Sequence, residues 1–441
     1  MELDKLKRHR TQAISDMLSR PAPHASSPAP HASIITVGDE ILIGQIVDSN
    51  ATYIAGQLNA IGIRVVEMRS VGDDRQAIIG ALDEAARRAK IIVVTGGLGP
   101  TSDDLTKEAL ADYTHTDSWR IDESSLAIIR DITTQRGLPM NKQNRNQALV
   151  PDHCQTLLNR TGTAPGLWFD YQERIIIALP GVPFEMEALM EEVVRKLQTS
   201  FQLPPVLHRT VTTFGMPESV LAAKLADWER TLPPSIRLAY LPNPLTGVRL
   251  RLSVYRPDKV AEALVAEAIA GLRAILGTVI YGEGDDTPAA VVGRLLRERN
   301  ASVAVAESCT GGRIASLLTS VAGSSDYFKG GVVAYDNAVK TDVLQVCADD
   351  LLAYGAVSLP VAEQMAEGVR RLLNADYAVA TSGVAGPGGG SEQKPVGTVC
   401  IAVATPQGAT AQRRQFTGDR ARTIDRSSAT ALNMLRLAMI T

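Results

Sequence analysis

The chain has 441 residues, a net charge of −3 and 21% charged residues. That length allows two to four domains, each with its own core, and no basic run marks a nucleic-acid surface. Cys154, Cys309, Cys347 and Cys400 stand apart with no Cys-x-x-Cys pair, which argues against a disulfide framework or a zinc site. No apolar run reaches transmembrane length. The basic N-terminus lacks the apolar core of a signal peptide, so a cytoplasmic protein without membrane or nucleic-acid partners is expected.

Residues 1–32 form a charged stretch followed by the linker-like Pro21–Pro30. Ordered structure is expected from Ser33, with strands over Ser33–Gly38, Ile63–Met68 and Ile91–Thr95 and helices over Asn50–Ile61 and Asp74–Ala89. Such alternation means βαβ units and a mostly parallel sheet, whose ligands gather at the C-terminal strand ends. Two polar loops fall there, Gly38–Gly44 with Glu40, and Gly96–Asp104. Gly96, Gly97 and Gly99, followed by Thr101, let backbone N–H groups approach a phosphate. Asp103 and Asp104 either hold a divalent cation through its waters or cap the next helix.

A turn-rich loop, Asn159–Gly166, precedes a strand at Arg174–Leu179 and a helix to Gln198, and Pro204-Pro205 looks like a boundary. Residues 206–282 read as a small α+β module. Its Gly215-Met216-Pro217-Glu218 turn shows no chemistry and suits a spacer or interface. A second boundary lies at Gly282–Pro288.

The last domain opens with a helix over Pro288–Asn300 and a strand over Ala301–Ala306, running into Glu307-Ser308-Cys309-Thr310-Gly311-Gly312. The strand-to-helix turn exposes Ser308 and Thr310, which either cap the helix or face a ligand beside free N–H groups. Further polar strand ends follow at Tyr335-Asp336-Asn337, near Lys340, and at Ser382-Gly383-Val384-Ala385-Gly386. All six histidines precede residue 287, and only Lys329, Lys340 and Lys394 follow it. A nucleophilic Ser308 would therefore need a desolvated lysine, a tyrosine or a carboxylate as base.

Ala306–Gly312, Tyr335-x-Asn337-x-x-Lys340, Ser382–Pro387 and Gly418-Asp-Arg420 resemble the CinA family of competence/damage-inducible proteins. Gly38-Asp-Glu40, Gly96–Asp104, Gly162–Gly166 and Pro180–Pro183 resemble that family's first domain. The resemblance covers about residues 33–441. It implies an α/β chain with a flexible extension (1–32), a three-layer molybdopterin-binding-like domain (33–203), a small α+β linking module (204–284) and an α/β deamidase domain (287–441). The activity it implies is hydrolysis of nicotinamide mononucleotide to nicotinate mononucleotide and ammonia, with no cofactor. Ser308 would be the nucleophile, Lys340 the base and Arg420 the assisting group. Thr310, Gly311, Gly312, Tyr335, Asn337, Ser382, Gly383, Gly386 and Arg422 would line the substrate site. The first domain is linked to metal-dependent ADP-ribose hydrolysis, with Gly38, Glu40, Gly96, Gly97, Gly99 and Thr101 on phosphate and Asp103 and Asp104 on the divalent metal. A homodimer is expected through the middle module. The alternatives are a nucleotide-binding regulator without turnover and an adenylyl-transfer enzyme acting on molybdopterin.

Overall fold

The computed structural model describes residues 30–201, 203, 206–243, 246–255 and 257–440. Most of the expected N-terminal extension and the Pro204-Pro205 boundary lie outside these residues. The chain is mixed α/β and divides after Val206 into two compact units.

The first unit carries β1 (His31–Val37), β2 (Arg64–Val71), β3 (Ile91–Thr95), a short pair β4 (Trp119–Ile121) and β5 (Leu149–Pro151), then β6 (Gln155–Leu157), β7 (Gly166–Tyr171) and β8 (Arg174–Leu179). Its main sheet has the order β2-β1-β3-β8-β7-β6. β2, β1, β3 and β8 run parallel, and β7 and β6 are antiparallel. The inner strands β1, β3 and β8 are almost wholly buried, as apolar parallel strands covered on both faces must be. Helices Ser49–Ala60 and Pro183–Phe201 contribute to the core on one face. Helices Arg75–Ala86 and Thr106–Tyr113 contribute to the core on the other, which makes three layers. Asp48 and Asp74 cap two of these helices through the N–H groups of Ala51 and Ala77.

In the second unit, β9 (Val206–Thr213), β10 (Ile236–Asn243), β11 (Gly247–Tyr255) and β12 (Ile280–Glu283) form a sheet of order β10-β11-β9-β12. Helices Glu218–Arg230 and Ala261–Leu276 pack on it around Leu221, Leu225, Val265 and Leu272. A separate sheet of order β14-β13-β15-β16-β17 follows. It is built from β13 (Val303–Glu307), β14 (Phe328–Val333), β15 (Tyr377–Gly383), β16 (Thr398–Thr405) and β17 (Gly408–Gln415). β13 runs parallel to both neighbours, with Glu307 opposite Val333 and Thr381. The chain therefore leaves all three strands at one edge, at Ser308, Ala334 and just past Gly383. Helices Pro288–Glu298, Arg313–Thr319 and Arg420–Ile440 cover one face and Leu359–Leu372 the other.

The structure differs from the sequence reading in several places. β1 begins at His31, two residues before the expected start. The Gly38–Gly44 loop contains a one-turn helix, Asp39–Leu42. Lys340 lies in a π-helical turn, Val339–Val343, where no helix was expected. The antiparallel pair β16–β17 and the helices Glu123–Gln135 and Ala348–Tyr354 are also additions. The middle sheet and the C-terminal sheet fall in one compact unit, joined in part by Arg436, whose guanidinium donates to the carbonyls of Thr278 and Ile280.

Candidate functional sites

β13 is an apolar strand that ends in a carboxylate. Glu307 is 1% exposed. Its oxygens accept from Gly312 N (3.1 Å), Ile314 N (3.0 Å) and Ala315 N (2.8 Å), so the charge is neutralised by backbone dipoles. Between Glu307 and the helix the chain reverses through Gly311 (φ 61°) and Gly312 (φ 99°), both left-handed. The turn is tied to β15 by Ser308 N donating to Thr381 O at 2.9 Å. Neither Ser308 nor Thr310 caps the helix, because Gly312 is the capping residue and Glu307 does that work. Thr310 is buried, its hydroxyl 2.6 Å from that of Thr381. Ser308 is half-buried. Cys309 points the other way, into a core with Ala385, Val399 and Ile401. Burial pushes its thiol up to about 12, with Glu307 adding to the rise and Arg420 opposing it.

Lys340 is 1% exposed. Its Nζ donates to the carbonyls of Ala334 (2.8 Å), Tyr335 (3.2 Å) and Asp336 (3.5 Å), just past the end of β14. Desolvation lowers its pKa from the ordinary lysine value, while Asp336 and the Cys309 thiol act in the opposite sense. β13 and β14 pair with Glu307 opposite Val333, so Ala334, whose carbonyl holds the ammonium, leaves its strand level with Ser308. Arg420, at the start of the last helix, donates Nη1 to Gly386 O at 2.9 Å and Nη2 to the Tyr335 hydroxyl at 3.1 Å. It thereby bridges the loops that follow β14 and β15. The structure thus gathers Ser308, Lys340, Tyr335, Gly386 and Arg420 at one sheet edge.

The other expected site residues are placed differently. Ser382 is buried and donates its hydroxyl to Ala356 O at 2.6 Å. Gly383 is held close to β16, where an added Cβ would meet Thr398 O at 2.7 Å. Asn337 is exposed, and exposed Arg422 pairs with Asp419 at 3.7 Å.

In the first unit, a cleft of about 430 Å³ opens at the C-terminal strand ends. Gly38, Glu40, Gly96, Gly97, Gly99, Asp103 and Asp104 line it, as do Asp73, Gln147 and Glu185, which the sequence reading did not single out. Asp104 is engaged within its own loop, accepting from Gly99 N at 2.7 Å, Thr101 N at 2.9 Å and the Thr101 hydroxyl. Asp103 is exposed. The carboxyl of Asp73 is raised by desolvation and by the charges of Asp39, Glu40 and Asp103, against a hydrogen bond from Asp39 N. Beneath the cleft, buried Lys107 donates to the carbonyls of Gln147 and Leu149, and desolvation lowers it to about 8.

Among the described residues no three His, Cys, Asp or Glu side chains converge as a ligand set, so a metal cage built from protein alone does not fit. Asp73, whose carboxyl is raised by desolvation and by nearby carboxylates, and exposed Asp103 would suit an open magnesium site that takes one or two carboxylates plus water and phosphate oxygens.

Residues 33–200 match the family described as "Probable molybdopterin binding domain", 208–282 the "Damage-inducible protein CinA KH domain" and 285–439 the "CinA C-terminal domain". A CinA-like protein of Flavobacterium psychrophilum is 43% identical over 407 residues, covering 91% of this chain and 97% of that one. One from Cytophaga hutchinsonii is 44% identical over 408 residues, covering 91% and 96%. The chain belongs to the CinA family. A crystal structure of CinA from Thermoplasma acidophilum is 40% identical, covering 39% of this chain and 99% of that one, with a TM-score of 0.36. The Ser308 edge thus lies within the CinA C-terminal domain, and the acidic cleft within the molybdopterin-binding-like domain. Among the described residues, no helix is long and apolar enough to cross a membrane.

Sequence reasoning missed Glu307, Asp73 and Glu185. A signal existed for each. Glu307 is the lone charge closing an apolar strand, where burial demands N–H partners. Asp73 and Glu185 follow parallel strands at the same edge as the two loops that were read.

Proposed function

We propose that the C-terminal domain is a nicotinamide-nucleotide amidase, converting nicotinamide mononucleotide and water to nicotinate mononucleotide and ammonia. The observation that carries this reading is a buried lysine, Lys340, at the strand edge where Ser308 stands in a histidine-free domain. The Ser308 Oγ attacks the carboxamide carbon, a C–O bond forms, and the carbonyl π pair moves to oxygen. The hydroxyl proton passes to a neutral Lys340 amine and from there to the leaving nitrogen, which departs as ammonia as the oxyanion collapses to an acyl-serine ester. Water, deprotonated by the same amine, then attacks the ester, and Ser308 leaves with the proton.

Lys340 is arranged for this with one adjustment. Three carbonyl acceptors match the three N–H bonds of an ammonium, whereas a neutral amine has two N–H bonds and a lone pair. Deprotonation gives up the weakest contact, the 3.5 Å one to Asp336 O, and frees the lone pair. Arg420 offers a cation for the substrate phosphate once it leaves Gly386 O or Tyr335.

The test is ammonia release by Ser308→Ala, Lys340→Ala and Cys309→Ala. The first two should lose on the order of 10³-fold or more in kcat. Cys309→Ala should retain turnover, because its thiol faces the core. An inactive Cys309→Ala beside an active Ser308→Ala overturns the assignment.

The acidic cleft favours a second reading, metal-dependent hydrolysis of ADP-ribose. Its glycine loop suits a pyrophosphate, Asp73 and Asp103 would hold the ion, and the ion would offset the phosphate charge. A regulatory nucleotide site without turnover is the outcome if ADP-ribose binds there and persists.

A further inference from the structure

An amidase needs donors for the oxygen that becomes negative in the tetrahedral intermediate. Most N–H groups of the Ser308 turn already have an acceptor. Ser308 N donates to Thr381 O, Gly311 N to Ser308 O, Arg313 N to Thr310 O and Ser316 N to Gly312 O. Gly312, Ile314 and Ala315 donate to the buried carboxylate of Glu307. The helix that follows therefore offers nothing, since its leading N–H groups already serve an internal anion. Two N–H groups in the stretch 308–316 donate to no other residue, those of Cys309, which meets only its own thiol, and Thr310.

These two are the first amides after the nucleophile. They sit in the segment that Glu307 holds rigid from one side and Thr381 from the other. Thr310 is anchored by its hydroxyl contact to Thr381 and Cys309 by its core packing. Both residues are buried, and they directly follow half-buried Ser308. Buried backbone N–H groups nearly always find a partner, and two adjacent unmatched ones beside a half-buried serine mark a place for an acceptor.

We propose that the backbone N–H groups of Cys309 and Thr310 form the oxyanion hole of the Ser308 site, and that Glu307 is the positioning residue that makes them the available pair. The inference rests on the amidase reading above. The ligand chemistry is specific. The two donors take the carboxamide oxygen of the substrate, bind it weakly while it is neutral, and bind it strongly once Ser308 Oγ has added and the oxygen carries the charge. Glu307 has a double effect. It fixes the turn, and by occupying Gly312, Ile314 and Ala315 it prevents the substrate phosphate from settling on the helix start in a non-productive pose.

The experiment is single-site amide-to-ester replacement in the full chain. The α-hydroxy analogues of cysteine and threonine are placed at positions 309 and 310, converting N–H to O and keeping both side chains. Each ester should lower kcat for ammonia release from nicotinamide mononucleotide by about 10²-fold or more, with KM changed less than about threefold, since the bond matters in the transition state. The same ester at position 314, whose N–H Glu307 accepts, should lower the melting temperature and reduce kcat less than about tenfold. Glu307→Ala should cost kcat heavily, and Glu307→Gln, which keeps an acceptor, should restore part of it. Esters at 309 and 310 that leave kcat within threefold, or that cost no more than the one at 314, overturn the oxyanion hole even though Ser308→Ala is inactive. A parent protein that releases no ammonia removes the amidase reading, and this one with it.

Discussion

Lys340 Nζ lies 2.8 Å from the carbonyl oxygen of Ala334, the first residue after β14. A buried ammonium on a carbonyl cannot accept a proton, so the base must first lose one. Desolvation drives that loss by lowering the pKa below the ordinary 10.5. The sign follows. The active form is the neutral amine, present above the pKa of the folded protein and lost as pH falls through it. We expect kcat/KM for nicotinamide mononucleotide to rise with pH along a single limb whose midpoint lies below 10.5. Lys340→Arg, which stays charged throughout, should abolish both the limb and the activity. A flat profile between pH 6 and 9 with Ser308 intact would assign the base to another group.

Parallel strands separated by helices, and glycine loops at their C-terminal ends, were legible because strand period, helix period and turn residues agree locally. The antiparallel β16–β17 pair was not. Val399–Ala404 is a short apolar run whose partner, Gly408–Gln415, is polar on its exposed side, so neither segment declares itself. The Ser308 turn could be located from Gly311-Gly312, but which of its N–H groups are free depends on where the Glu307 carboxylate folds back. That is a three-dimensional fact. The side chain of Thr310 faces packing for a similar reason, since a turn's outward and inward positions depend on the φ values of its glycines, whereas Ser382 lies within β15, where its hydroxyl meets Ala356 O.

Burial divides the four thiols. Cys347 is exposed, while Cys154, Cys309 and Cys400 are buried. Desolvation raises all three buried thiols, Cys154 to about 11 and Cys309 to about 12. Only thiolate alkylates readily. Iodoacetamide at pH 8 should therefore label Cys347 alone in the native protein and all four after denaturation, as read by peptide mass. Rapid native labelling of Cys309 would mean that the turn opens, and would make Cys309 a rival to Ser308 as the nucleophile.

In the acidic cleft, the two aspartates should separate by role. Asp104 holds Gly99 N and Thr101 N, so Asp104→Ala leaves two N–H groups without a partner. It should destabilise the first unit by about 1–3 kcal/mol, measured by urea unfolding. Exposed Asp103 meets the Thr101 hydroxyl and its own N–H but holds no backbone N–H of another residue. Asp103→Asn should leave unfolding unchanged, while reducing both the magnesium-induced rise in melting temperature and any ADP-ribose hydrolysis. Equal destabilisation by the two variants would contradict this division.

The last expectation concerns where the chain can be cut. Fragment 287–441 carries every residue of the Ser308 edge, and the turn at Gly284 invites cleavage there. Arg436 argues for a different boundary. It is 4% exposed, and its guanidinium donates to Thr278 O at 2.6 Å and Ile280 O at 3.4 Å, both beyond that cut. Removing residues up to 286 takes away these acceptors and strips cover from a charge that is costly to bury unpaired. Fragment 207–441 keeps them. We expect 207–441 to match the full chain in ammonia release and in melting temperature for this unit. Fragment 287–441 should fold and turn over, but be less stable by about 1–3 kcal/mol. Arg436→Met should narrow that gap, because a neutral side chain of similar length needs no acceptor. Equal stability of the two fragments, measured by urea unfolding at one pH, would show that the guanidinium finds water as readily as it finds the carbonyls of Thr278 and Ile280.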